Sequence, residues 1–132
     1  LGRRLLTLVS DVMRGRDNMP TVTADARLGD AILEISRRRM GMTAVLDEAG
    51  ALCGIFTDGD LRRLLERDGD VRALRVSDVM NRHPALIRAD ALAALAVRQM
   101  DERKINQLLV VDADGALVGA VHIHDLLAAK VA

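Results

Sequence analysis

Aromatic residues are almost missing from this chain: Phe56 stands alone, without tryptophan or tyrosine, among 132 residues. A platform on which successive bases stack is therefore excluded. Charge of one sign is missing as well, since 19 basic residues face 19 acidic ones. A nucleic-acid footprint needs a basic excess, so nucleic acid is not an expected partner. Cysteine is reduced to Cys53, which rules out a disulfide within the chain and reads as a small core residue among apolar neighbours. No apolar run approaches the roughly 18 residues of a membrane span and no signal peptide opens the chain, so no membrane partner and a cytoplasmic location are expected. The start at Leu1 in place of methionine points to a piece of something longer.

What is present is written twice. "VSDVM" stands at residues 9–13 and again at 76–80, and the only two prolines, Pro20 and Pro84, each follow one copy. Val45 and Asp47 answer to Val110 and Asp112, Gly50 to Gly115, Gly54 to Gly119, and Asp60-Leu61 to Asp125-Leu126. Two copies of about sixty residues indicate a pseudo-twofold pair, not a solenoid.

Each copy reads β-α-β-β-α. Ser10 and Ser77 are expected to cap short helices carrying Val12-Met13 and Val79-Met80. Short strands follow the prolines at Thr21-Val22-Thr23 and Ala85-Leu86-Ile87. Amphipathic helices come next, with Leu28, Ile32 and Ile35 on the apolar face of the first and Leu92, Leu95, Ala96 and Met100 on that of the second. Strands Thr43–Leu46 and Leu108–Val111 lead through "DEAG" and "DADG" turns to return strands Leu52–Phe56 and Leu117–Val121. Closing helices begin near Asp58 and Ile123. The expected division is a lead-in over 1–8, repeat one over 9–68, a connector over 69–75 and repeat two over 76–132. The fold class is α/β (α+β), with the two repeats packed as one module because neither buries enough apolar surface alone.

The candidate site is the close of each copy, "GIFTDGD" and "GAVHIHD". Thr57 with Asp60 fits a helix capping box. His122 is a poor cap, yet Asp125 is still there, so capping accounts less well for the second copy. A ligand accounts for both. A carboxylate accepts two hydrogen bonds from a ribose diol, while a threonine hydroxyl or an imidazole N–H donates to a phosphate. Glycines 54 and 119 would allow close backbone approach.

The paired openings, "TAVLDEAGALCGIFT" with "LLVVDADGALVGAVH", and the closing T-x-x-D and H-x-x-D resemble a pair of cystathionine β-synthase (CBS) motifs across essentially the whole chain. More narrowly, "LGRRLL", "GMTAVLDEAG", "GIFTDGDLRR" and "HIHDLL" are similar to the C-terminal CBS pair of arabinose-5-phosphate isomerases. This resemblance implies two nucleotide-binding clefts at the repeat interface and a regulatory role. It also implies no isomerase activity in this chain, because catalysis lies in an N-terminal sugar-isomerase domain. The implied partners are that domain and a second copy of the chain, giving a homodimer here and a tetramer in the full-length enzyme. Pathway logic points to CMP-Kdo as the effector, with AMP or ATP the alternative; no cofactor is expected.

Further candidates follow from the resemblance and from spacing. Met42 and Thr43 would line a base pocket, although Met42 is equally a core candidate. Lys104, Asn106 and Gln107 hold the corresponding place in repeat two. Arg62 or Arg63 could reach an anion from an otherwise solvated helix face. His122, equally readable as filling a strand end, would gain charge on mild acidification and tighten anion binding near pH 6. His122, His124 and Asp125 make a metal conceivable, but structural zinc takes four ligands and His83 is the only other histidine, so no metal is expected. No nucleophile with its base is visible, so no catalytic residue is expected. The competing reading is an association platform with unused clefts.

Overall fold

The structure is a computed structural model that describes residues 6–132, the side chain of Asp68 excepted. Of the expected lead-in, residues 1–5 lie outside the described residues. Along the chain run α1 (Val9–Val12), β1 (Arg14–Gly15), a 3-10 turn (Arg16–Asn18), β2 (Thr21–Thr23), α2 (Leu28–Arg38), β3 (Met42–Leu46), β4 (Leu52–Thr57) and α3 (Asp58–Asp68). The second copy follows with α4 (Val76–Val79), β5 (Leu86–Arg88), α5 (Ala93–Arg103), β6 (Gln107–Val111), β7 (Leu117–His122) and α6 (Ile123–Ala128). The β-α-β-β-α order is present in both copies.

The chain forms two compact units, and their boundaries cross those of the repeats. One unit is Met19–Pro84; the other joins the residues up to Asn18 to Ala85–Ala132. The "VSDVM" segment of each repeat is thus built into the body of the other.

In the Met19–Pro84 unit the sheet order is β2-β3-β4, parallel and then antiparallel. Leu28, Ala31 and Ile35 of α2 pack with Val45, Phe56, Leu64 and Val76. The α2 N-terminus has no side-chain cap; carbonyls of the connector take its place. Leu28 N–H donates to Leu74 C=O at 2.7 Å, and Gly29 N–H to Arg72 C=O at 3.1 Å. With Val71 also buried, the 69–75 connector is tied down along its length. In the other unit the order is β1-β7-β6-β5. Val9 packs with Ile87, Ala93, Ala96, Met100, Leu108 and Leu126, and Ala93 N–H donates to Thr7 C=O at 2.8 Å. Burying one valine is worth about 1.5 kcal/mol or more, so Val9 and Val76 anchor these short helices that propensity alone would not hold.

Local turn chemistry is duplicated too. Asp47 Oδ1 accepts from the N–H groups of Ala49 and Ala51, both at 2.9 Å, and Asp112 Oδ1 does the same for Asp114 and Ala116 at 2.9 and 3.0 Å. Gly50 and Gly115 sit at φ +83° and +84°, where a side chain would be strained.

Three expectations need correction. Ser10 and Ser77 do not cap α1 and α4, which begin one residue earlier; Asp11 and Asp78 instead accept from the N–H groups of Leu8 and Arg75, at 2.9 and 3.1 Å. The strand expected at Ala85–Ile87 runs from Leu86 to Arg88. The core face of α5 is Ala93, Ala96 and Met100, while Leu92 and Leu95 are exposed.

The opening segments explain two glycines. β1 pairs with β7 across Arg14↔Ala120 and Gly15↔Gly119. A Cβ at Gly119 would collide with the Arg14 carbonyl and lie 2.9 Å from Met13 Sδ. In the other unit Asn81 and Ile55 exchange backbone hydrogen bonds at 2.8 and 2.9 Å, and a Cβ at Gly54 would lie 2.7 Å from Met80 Sδ and 2.9 Å from Asn81 O. The two glycines admit protein backbone, which corrects the expectation that they make room for a ligand. Gly54→Ala and Gly119→Ala should each cost about 1–3 kcal/mol through overpacking. Gly15→Ala, with nothing within 4 Å, should stay within about 0.5 kcal/mol of the parent. Urea unfolding midpoints compare them, and a Gly119→Ala midpoint equal to the parent's would contradict the packing described.

Candidate functional site

The first site is built where β4 becomes α3. Thr57 is the last strand residue, with φ −117° and ψ 164°, and its Oγ1 accepts from Asp60 N–H at 3.1 Å. Asp60 Oδ2 accepts from Thr57 N–H at 3.0 Å, completing the capping box. Two functional groups remain. The Thr57 hydroxyl keeps its hydrogen to donate. Asp60 Oδ1 turns away from the cap and meets Arg63 Nη2 at 2.6 Å.

The second copy repeats this logic with different atoms. His122 N–H donates to Asp125 Oδ2 at 3.1 Å, and His122 Nδ1 accepts from His124 N–H at 3.1 Å. Histidine therefore acts as a cap acceptor here, correcting the expectation that capping serves this copy badly. With Nδ1 used as an acceptor, the neutral ring carries its proton on Nε2. Asp125 Oδ1 is met at 3.4 Å by Arg14 Nη2, a residue of β1 that is 111 positions away.

His122 is buried, and this burial pushes its pKa below the ordinary 6.5; His124 and Arg14 push it the same way, while Asp125 opposes them. Charging this ring therefore takes a lower pH than an ordinary histidine needs, which runs against the expected gain of charge on mild acidification. His122 and His124 also do not share a strand face: the first ends β7, the second lies in α6, and the rings are 4.5 Å apart at a 57° tilt. Among the described residues no group of three or more His, Cys, Asp or Glu is placed to hold a metal ion.

The remaining candidates separate. Met42 and Thr43 are fully buried, and the Thr43 hydroxyl donates to Ala44 C=O at 3.1 Å. Their side chains are core, which corrects the base-pocket expectation for them. Lys104 is the left-handed C-cap of α5 at φ 57°, paired with Asp101 at 3.8 Å. Lys104 and the exposed Asn106 line a cavity of about 660 Å³ beside α5, but His122 and Asp125 are not among its lining residues. Gln107 opens β6 opposite His122. Arg62 borders a depression of about 450 Å³ with Leu61 and Leu65. Arg63 instead joins Asp60 in a cavity of about 340 Å³ in the Met19–Pro84 unit, with Phe56, Arg67, Asp78 and Met80. The i,i+3 helical spacing of Asp60 and Arg63 signals that pair in the sequence. Nothing local signals Arg14 or Asp78.

The pH dependence of stability follows from His122. The unfolded chain, titrating near 6.5, binds a proton more readily than the folded ring does. Its contribution is complete above pH 6.5 and is lost as the pH falls below that value toward the lowered folded pKa. The urea midpoint should therefore drop between pH 7.5 and 5.5. His122→Asn, whose amide oxygen can take over the cap, should flatten that drop; an unchanged slope would place its cause elsewhere.

Comparison with known proteins agrees with this architecture. A family model described as "CBS domain" matches residues 9–67 and 76–132. The chain is 51% identical over 131 residues to "Arabinose 5-phosphate isomerase KdsD" of Pseudomonas aeruginosa, covering 99% of this chain and 40% of the relative. The Escherichia coli K12 protein of the same name is 44% identical over the same span, again with 40% of its length covered. The chain thus spans about 40% of the length of these curated relatives. Among solved structures it resembles CBSX2 in complex with AMP, with TM-score 0.78, 28% identity and coverage of 94% of this chain and 96% of that one. A CBS-domain protein of Agrobacterium tumefaciens shares the fold at TM-score 0.83 and 23% identity, over 96% of this chain and 95% of that one. Two matched repeats, each with its hairpin and its acid-capped closing helix, make this chain a CBS-domain pair, a member of the CBS family.

Proposed function

We propose that this chain is the regulatory CBS pair of an arabinose-5-phosphate isomerase and senses a nucleotide-type effector, CMP-Kdo ahead of AMP or ATP. The identity along nearly the whole chain to the Pseudomonas aeruginosa isomerase supports the enzyme context. The geometry that carries the nucleotide reading is Asp60. One carboxylate oxygen builds the cap and the other meets Arg63, and both residues line a cavity of about 340 Å³, within the size range of small-molecule sites. A ribose diol would donate to Asp60 Oδ1, and the Thr57 hydroxyl would donate to a phosphate oxygen. CMP-Kdo adds a sugar carboxylate suited to an arginine. The AMP complex of CBSX2, 28% identical, is in keeping with a nucleotide ligand. In the full-length enzyme the pair would report effector level to an N-terminal isomerase domain, in a cytoplasmic assembly serving lipopolysaccharide synthesis.

A second reading, an association platform, is favoured by Leu33 and Leu65, which are 69% and 48% exposed on α2 and α3. Thermal denaturation separates the two. A ligand at 100 times its dissociation constant adds about 2.7 kcal/mol of stability. CMP-Kdo should raise the melting temperature, and adenine nucleotides should raise it less. A larger shift with AMP or ATP reverses the ranking, and no shift with any of them leaves the platform. Asp60→Asn keeps a cap acceptor but removes the charge, so it should weaken CMP-Kdo about tenfold or more by calorimetry.

A further inference from the structure

Arg63 is the cation that meets Asp60 beside the cavity. Its Nη2 lies 2.6 Å from Asp60 Oδ1, the oxygen left over from the cap. The guanidinium is folded back over Gly59: a Cβ there would lie 3.4 Å from Arg63 Nη1, 3.6 Å from Nη2 and 3.7 Å from Thr57 Oγ1. A cation, a hydroxyl and a carboxylate therefore converge around one residue without a side chain. Asp60 and Arg63 also line the same cavity, with Arg67 one turn further along α3 and Asp78 and Met80 on the α4 segment. The Arg63 side chain is 68% exposed, against 24% for Asp60, so the cation covers a more sheltered anion.

Resting on the reading that Asp60 takes the diol of a ribose, we infer that Arg63 determines which diols are accepted. In the protein alone it covers Asp60 Oδ1. A bound diol takes that oxygen, and the displaced guanidinium turns to the anionic group carried by the same ligand. Exposed ion pairs of this kind are weakly held, so displacement is easy. A phosphate or carboxylate then offers the planar guanidinium two parallel hydrogen bonds. A nucleoside or neutral sugar displaces Arg63 and returns nothing, whereas a nucleotide or an acidic nucleotide-sugar returns a partner. The site thus requires a diol and an anion together. The second copy lacks this device: the position matching Arg63 is Ala128, and Asp125 Oδ1 is met instead by Arg14 of β1.

Calorimetric titration with CMP and with cytidine, which share the diol and differ by the 5′-phosphate, tests this. Wild-type protein should bind CMP at least tenfold more tightly. Arg63→Gln should weaken CMP about tenfold while leaving cytidine unchanged or a few-fold tighter, because Asp60 is then uncovered. Arg63→Lys, a point charge without the planar fork, should fall between, and Arg37→Gln, the same charge change on α2, should match wild type. Arg63→Gln that leaves CMP binding intact, or that weakens both ligands equally, overturns the role of Arg63 while nucleotide binding stands. Wild-type protein that binds neither ligand overturns the nucleotide reading itself, and this inference with it.

Discussion

Met13 and Met80 each lie over a glycine that belongs, in sequence, to the opposite repeat, and most of this architecture depends on that crossing. Antiparallel pairing of β1 with β7, and the bridge between Asn81 and Ile55, carry a piece of each repeat onto the closing hairpin of the other. The short opening helices survive because their valines are buried and their backbones are bonded to the loops before α2 and α5. In return, the flanking carbonyls of Leu74, Arg72 and Thr7 serve the uncapped starts of α2 and α5. Helix initiation and the exchange of segments are one problem with one solution.

The same crossing furnishes the candidate site. Asp78 and Met80 of the transferred α4 segment wall the cavity at Asp60, and Arg14 of the transferred β1 strand reaches Asp125. Each closing aspartate divides its labour, one oxygen holding the first helical turn and the other meeting an arginine. Capping is therefore compatible with the proposed ligand role of the repeated T-x-x-D and H-x-x-D. The cap aims the carboxylate and leaves its outer oxygen outside the helix's own hydrogen bonding. Threonine and histidine differ in what the cap leaves behind: an O–H in the first copy, and an Nε2–H on a buried ring of lowered pKa in the second.

Local grammar was readily legible. The glycine-bearing turns, the Thr57–Asp60 cap and the order of strands and helices are set by neighbours within a few residues. Misreadings arose where the deciding partner is distant or small. Ser10 and Ser77 are good caps in isolation, but the aspartates that follow them satisfy the chain one turn earlier. At the start of α5, Leu92 and Leu95 outweigh Ala93 in a hydrophobicity pattern, yet Ala93 joins Ala96 and Met100 in the core and the two leucines are exposed. Met42 and Thr43 belong to the core because β3 is the central strand of its sheet, buried along most of its length.

By itself the sequence determined a duplicated CBS-type fold and two acid-capped helix starts, since repetition, turn chemistry and capping act over short separations along the chain. Only the tertiary structure decided which cation meets each carboxylate, and whether a glycine faces a ligand or a carbonyl. Those outcomes depend on segments up to 111 residues apart, brought together where Val9 is buried and Met13 packs against the same core. No local pattern encodes a distance of that kind.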